Sequence, residues 1–334
     1  MARSDLLRRM FLAWSANDHS GFLHAANQVI DDERRKNHAL LASDLERALR
    51  DPRKPGLTPG LSMKPLPKGK DDRILLRMSK PARSMEDLVL EPDSRASLDD
   101  LVRENLSRGV LLSTGIKPRQ RVLIVGPPGT GKSMSAHALA AELSLPVATA
   151  SLASLTSSLL GETARNIEAV ANFVEHTPCV LLLDEFDALA AERATGGDHG
   201  ELKRVVATVL QSLEEVRGES IIVATSNHPD LLDEAVWRRF DEVINMEMLS
   251  KNNVRQLITR KLSLLSNDIE TRAWAERLAN FSPADIERWC LDVIREAVLR
   301  GDGHLAEADA DRAWLRQLRR QKISETSSRL GRGR

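Results

Sequence analysis

Gly126-Pro127-Pro128-Gly129-Thr130-Gly131-Lys132-Ser133 fits the pattern G-x-x-x-x-G-K-[ST] and follows directly on the β-branched, apolar run Arg121–Val125. No other stretch limits the local fold so tightly, because the pattern works only as a strand, a turn of exposed backbone N–H groups and a helix start. Glycine reaches the backbone angles that turn those N–H groups inward, and the helix N-terminus behind them completes an anion cradle. Lys132 adds a point charge suited to β- and γ-phosphates, and the Ser133 hydroxyl is a hard oxygen ligand for Mg²⁺. The segment after Lys132, from Ser133 to Leu143, is rich in helix formers. That context favours a nucleoside triphosphate site over a Gly/Pro-rich surface turn with an incidental lysine.

A second motif lies some fifty residues on, where Val180-Leu181-Leu182-Leu183 runs into Asp184-Glu185. An apolar strand ending in two acids suits a hydrolytic nucleotide site. One carboxylate, Asp184, can hold the Mg²⁺ shell, while Glu185 can polarise a water for in-line attack on the γ-phosphate. Alone, the pair would read as an acidic turn after a core strand. Ile221-Ile222-Val223-Ala224 ends on Thr225-Ser226-Asn227, and Asn227 either orients the attacking water or starts a turn before His228-Pro229. Arg238 and Arg239 close a short helical pattern, as salt-bridge partners or as arginines that stabilise γ-phosphate charge in a neighbouring subunit.

Strand signals at 122–125, 147–150, 180–183, 221–224 and 242–245 alternate with helical ones, including an apolar stripe from Leu202 to Val216. Alternation of this kind predicts a doubly wound α/β domain with a parallel sheet covered on both faces. Before it, apolar stripes through Leu6, Leu7, Met10, Phe11 and Trp14, through Phe22, Leu23, Ala26, Val29 and Ile30, and through Leu40 to Leu49 predict a small all-α domain over 1–50. A Pro-, Gly- and Lys-rich linker follows over 51–72. The α/β domain is expected over 73–249 and a helical subdomain without strands over 250–320, with a polar, basic, solvated tail over 321–334.

The chain balances 48 basic against 48 acidic residues among its 334, so no bulk field recruits nucleic acid or an anionic membrane. It has no apolar run long enough to span a bilayer. Its only cysteines, Cys179 and Cys290, read as core residues in a reducing compartment. Together these features point to a cytoplasmic protein. The tryptophans at 237, 274, 289 and 314 read as packing anchors, and the histidines have no metal-ligand spacing.

The ordered set GPPGTGKS, LLLDEFDAL, IIVATSN and DEAVWRRFDEV resembles the AAA family of ATPases, close to its core protein-remodelling clade. Gly115-Ile116-Lys117-Pro118, Leu160-Gly161-Glu162 and Phe281-Ser282-Pro283-Ala284-Asp285 extend the likeness to about residues 84–300. The resemblance implies a P-loop ATPase domain with a C-terminal helical lid, ATP and Mg²⁺ as ligands, and a homo-oligomeric, usually hexameric, ring. It puts phosphate binding on 126–133, metal on Ser133 and Asp184, and catalysis on Glu185, Asn227, Arg238 and Arg239. Ala284 is left lining the adenine pocket. The chain departs from the family where the first pore loop carries Leu159 in place of an aromatic, where Arg238 and Arg239 are adjacent, where Pro283 replaces a lid glycine and no arginine holds the usual second-sensor place, and where Asp-Ile-Gly is missing from 85–90. The expected function is ATP-driven remodelling of a protein client. The alternatives are a nucleotide-gated regulator of a partner effector and, through the 316–334 tail, a DNA-linked ATPase; nucleic acid is not the expected partner.

Overall fold

A computed structural model describes residues 4–15, 18–35, 65–69, 72–150, 155, 160–187, 209, 211–301 and 303–331. The chain forms two compact units. In the first, α1 (Ser4–Ser15) packs on α2 (His19–Arg35). Asp18 starts α2: its carbonyl accepts the Phe22 N–H at 3.0 Å and its Oδ1 the Gly21 N–H at 3.0 Å. Ala26, Val29 and Ile30 are buried as the stripe predicts, whereas Leu23 of the same stripe and Phe11 are exposed. The stripe predicted over 40–49 lies outside the described residues.

The second unit holds, in chain order, β1 (Leu76–Ser79), α3 (Pro92–Leu106), α4 (Arg108–Ser113), β2 (Arg121–Val125), α5 (Lys132–Glu142), β3 (Val147–Ala150), α6 (Leu160–His176), β4 (Val180–Leu183), β5 (Ile221–Ser226), α7 (Glu234–Trp237) and β6 (Glu242–Asn245). Among the described residues the strands form one six-stranded sheet in the order β1-β3-β4-β5-β2-β6. Every neighbour pair is parallel except β1–β3, which is antiparallel.

Side chains alternate between the sheet's two faces, as the period of a strand requires. Leu123, Val125, Leu181, Leu183, Ile222 and Ala224 join a core with Ile167, Val170, Phe173 and Val174 of α6. Val122, Ile124, Val180, Leu182, Ile221 and Val223 join another with Leu98 and Leu101 of α3 and Ala136, Leu139 and Ala140 of α5. The five strands expected from sequence are present, and β1 is an addition to them. Of the predicted 202–216 helix, residues 209 and 211–216 are described; 209 and 211–214 are helical, while Glu215 and Val216 lie past the helix end.

From residue 250 the chain builds α8 (Lys251–Leu262), β7 (Ser266–Asn267), α9 (Thr271–Arg277), α10 (Pro283–Arg300), β8 (His304–Leu305) and α11 (Glu307–Gly331). Here the expectation of a strand-free segment is corrected, because β7 and β8 form a short parallel pair. Two-residue strands have no periodicity to read. The core of this part is aromatic: Trp274 and Trp289 are fully buried with rings 4.9 Å apart, and Trp314 stands edge-on to Trp274 at 6.1 Å. Cys290 lies among them, its thiol pushed up to about 12 by burial, and burial pushes Cys179 up to about 11. Neither is poised as a nucleophile.

Residues 321–331, expected as a tail, continue α11 as helix. Arg312 and Arg316 pair with Glu296 of α10, and Arg320 Nη1 meets the buried Asp292 of α10 at 2.9 Å. Among the described residues no helix is long and apolar enough to cross a membrane.

Candidate active site

The loop 126–131 leaves β2 between β5 and β6, where the strand order reverses, so it opens at the crevice outside the carboxyl ends of the parallel strands. Gly126, Gly129 and Gly131 take φ of 145°, 80° and 102°, angles that side chains other than glycine's rarely adopt. Gly131 is the left-handed N-cap of α5, so Lys132 and Ser133 open the helix. Pro127, Pro128 and Gly129 form an exposed crest, while Thr130 is buried and its hydroxyl donates to the Pro127 carbonyl at 2.9 Å.

Lys132 is buried and folds back on its own loop, donating to the Gly126 and Pro127 carbonyls at 2.8 and 2.7 Å. Burial pushes its pKa below the usual lysine value, against the pull of Asp184 and Asp187. A cation held by two neutral carbonyls can exchange them for phosphate oxygens.

The two motifs meet directly, for the Ser133 hydroxyl donates to Asp184 Oδ1 at 2.7 Å. A hydroxyl and a carboxylate at the foot of a phosphate cradle fit Mg²⁺, which is usually bound by one or two protein oxygens plus the substrate's phosphates. Consistent with that mode, no three His, Cys, Asp or Glu side chains among the described residues gather as a protein-only metal cage. Glu185 is exposed beside this pair, with φ of 53°. The Asn227 N–H donates to Oδ1 of the buried Asp187 at 3.2 Å, which ties the end of β5 to the turn after β4. Ala284 enters through its backbone, its N–H donating to the Gly129 carbonyl at 3.0 Å. Ser282 caps α10 by accepting the Asp285 N–H at 3.2 Å.

Arg238 and Arg239 are not part of this cluster. Asp241, just after them, accepts the Gln120 and Arg121 backbone N–H groups at 3.0 Å each and pairs with the Arg121 guanidinium, so the pair is anchored where β2 begins. The burial cost at Asp241 is outweighed by these donors, and its pKa falls below the usual carboxylate value. A five-residue strand, roughly 16 Å long, separates that end from the loop. The two arginines also differ: Arg239 pairs with Glu214 at 2.7 Å and is half-buried, whereas Arg238 is 75 % exposed and, among the described residues, meets only Glu234 one turn back. Leu159 lies outside the described residues.

Sequence reasoning missed three participants. Thr225 and Asp187 bind the carboxylate turn to β5, and His137 of α5 accepts the Ala82 N–H at Nδ1 at 3.3 Å. Burial lowers the His137 pKa, against the attraction of Asp184. Only Thr225 left a trace in the sequence, as a hydroxyl at the end of an apolar run.

A sequence model of the family described as "ATPase family associated with various cellular activities (AAA)" matches residues 122–248. The chain is 32 % identical to an uncharacterized AAA family ATPase, y4kL, of Sinorhizobium fredii (strain NBRC 101917 / NGR234), over 96 % of this chain and 97 % of that protein. It is 33 % identical to the peroxisomal ATPase PEX6 of Arabidopsis thaliana over 66 % of this chain and 25 % of that protein. To a proteasome-activating nucleotidase of Methanococcus maripaludis (strain C7 / ATCC BAA-1331) it is 32 % identical, over 68 % and 58 % respectively. The chain thus spans nearly the whole of the first of these relatives but only a quarter to somewhat over half of the other two.

Proposed function

This chain belongs to the AAA family of ATPases, which hydrolyse ATP and commonly form oligomeric rings, and on that premise we propose that it is a ring-forming ATPase that remodels a protein client. In this reading the triphosphate lies in the loop 126–131 with Lys132 against its β- and γ-phosphates. Ser133 and Asp184 would hold Mg²⁺, which would supply charge to neutralise the phosphate oxygens. Glu185 takes a proton from water as its oxygen attacks the γ-phosphorus. The bond from that phosphorus to the ADP oxygen breaks, and the proton passes on to the released phosphate. Asn227 orients the water, and Ala284 borders the base through the loop-to-lid contact.

The observation that carries the reading is the position of the arginine pair. Asp241, three residues beyond Arg238, is held at the start of β2, opposite the phosphate loop, and that placement suits an arginine that serves a neighbouring copy's site. Arg239, tied to Glu214, is the member that holds the segment in place. We assign Arg238 as the arginine finger, and a homo-hexamer as the assembly that brings it to a neighbour's site. The remodelling role takes support from PEX6 and the proteasome-activating nucleotidase, and the N-terminal helices are the place where a client or adaptor would be selected.

The regulator reading retains one point in its favour, the aliphatic Leu159 where a threading loop would carry an aromatic. Of the tail invoked for the DNA-linked reading, Arg316 and Arg320 are engaged by α10 carboxylates.

Light scattering on the Glu185→Gln protein tests the proposal. With ATP and Mg²⁺ it should bind nucleotide, turn over at least a hundredfold more slowly than the parent and shift to a ring-sized particle. ATP binding without a change in mass would leave the ring reading without support.

A further inference from the structure

Asp184 Oδ1 accepts two hydroxyls, one from Ser133 at 2.7 Å and one from Thr225 at 2.5 Å. The second is the more unusual, because Thr225 is 1 % exposed and its hydroxyl is used twice. It gives its single proton to Asp184 and accepts the Glu185 backbone N–H at 3.2 Å. The Thr225 carbonyl also accepts the Phe186 N–H at 2.8 Å. One residue of β5 therefore holds three successive residues of the carboxylate turn.

The middle residue of the three is the one under strain. Glu185 has φ of 53°, a left-handed conformation that a non-glycine residue keeps only when its surroundings fix it. Backbone geometry at that residue sets where its exposed carboxylate goes. The Thr225 hydroxyl is the group that fixes the Glu185 amide and, through the same oxygen, the rotamer of the neighbouring carboxylate.

We propose that Thr225 is a positioning residue for ATP hydrolysis: its hydroxyl locks the Asp184 carboxylate and the left-handed Glu185 backbone into one arrangement, and so sets the rate of the chemical step without touching the nucleotide. The proposal rests on Glu185 being the group that activates water. A hydroxyl that serves only to satisfy buried polar groups would affect stability, whereas a positioning hydroxyl affects kcat and leaves ATP affinity alone.

Thr225→Val keeps the shape and removes the hydroxyl; Thr225→Ser keeps the hydroxyl and removes a methyl. Steady-state kinetics and direct ATP binding are measured for both, beside Glu185→Gln and the Glu185→Gln/Thr225→Val double variant. Thr225→Val should lose roughly ten- to a hundredfold in kcat with ATP Kd within about threefold of the parent, and Thr225→Ser should recover to within about threefold. Thr225→Val should cost far less in the Glu185→Gln background than in the parent, since part of the hydroxyl's effect runs through that side chain.

Parental kcat in Thr225→Val, or a folded Thr225→Ser as slow as Thr225→Val, overturns the proposal. If Thr225→Val does not fold, Thr225→Cys takes its place, because a thiol is a poor hydrogen-bonding substitute at similar volume. A Cys variant as fast as Ser then overturns it. Normal turnover in Glu185→Gln removes the underlying reading instead, whereas an inactive Glu185→Gln beside a fully active Thr225→Val removes only the role of Thr225.

Discussion

At the scale of single residues, the three loop glycines share a left-handed backbone but differ in what a side chain would meet. A Cβ on Gly126 would stand 2.1 Å from the Met246 carbonyl oxygen, whereas one on Gly131 would find nothing within 4 Å. Gly131→Ala therefore carries only the cost of the backbone angle, about 1–2 kcal/mol. Gly126→Ala adds a clash with the backbone beyond β6, which cannot swing aside as a flexible side chain would, and should lose roughly 3 kcal/mol or more. Urea unfolding of the two variants checks the order, and equal losses would contradict the close approach. The motif made both glycines visible in the sequence, but not this difference, because Met246 reaches Gly126 only through the pairing of β2 with β6. Thr225 was obscured for a similar reason. In an apolar strand ending Thr-Ser-Asn, only the register against β4 decides which hydroxyl faces the carboxylates.

Between elements, Arg119 clamps the approach to β2. Its Nη2 donates to Glu104 Oε1 of α3 at 2.6 Å, its backbone N–H donates to Glu104 Oε2 at 3.1 Å, and its Nη1 meets Glu242 of β6. These hydrogen bonds from Arg119 outweigh the burial of Glu104 and hold its carboxyl below the usual value, while the two carboxylates raise the pKa of Arg119. A carboxyl with a depressed folded pKa contributes stability above its unfolded pKa and loses it as pH falls through the folded one. Glu104→Gln should therefore cost roughly 1–2 kcal/mol at neutral pH. Its deficit should close in acid, below the ordinary glutamate range, where the parent is protonated too; denaturant melts across pH would detect a deficit that stayed constant. Elements with a period or an apolar run, such as β2, β4 and β5, were legible in the sequence. β1, with exposed Arg77 at a sheet edge, and the two-residue β7 and β8 were not. Only the end of α11, residues 321–331, was read as a tail, because its charges suggest solvation; upstream, Arg316 and Arg320 pair with α10 carboxylates that no local pattern could assign to them.

For the whole molecule, sequence similarity to y4kL extends over 96 % of the chain, beyond the family's α/β core. An ATPase site whose arginine stands at the far ends of the strands is incomplete in one copy. Under the proposed function the catalytic unit would be an interface, with Lys132, Asp184 and Glu185 from one subunit and Arg238 from the next. Arg238→Ala alone should bind ATP nearly as the parent does and lose roughly a thousandfold in turnover, the scale on which an arginine finger works. Glu185→Gln should be equally inactive for a different reason, since its own phosphate site lacks the group that activates water. Mixed before assembly, the two proteins are predicted to regain activity, because a site with intact Glu185 on the Arg238→Ala subunit can face intact Arg238 on its Glu185→Gln neighbour. Random mixing in equal amounts places that pairing at about a quarter of the interfaces, so turnover should rise toward a fraction of that order and follow the mixing ratio as a bell-shaped curve. Activity that stayed at the sum of the two inactive proteins at every ratio, with mixed assembly verified by differently tagged subunits, would mean that Arg238 does not act across the interface.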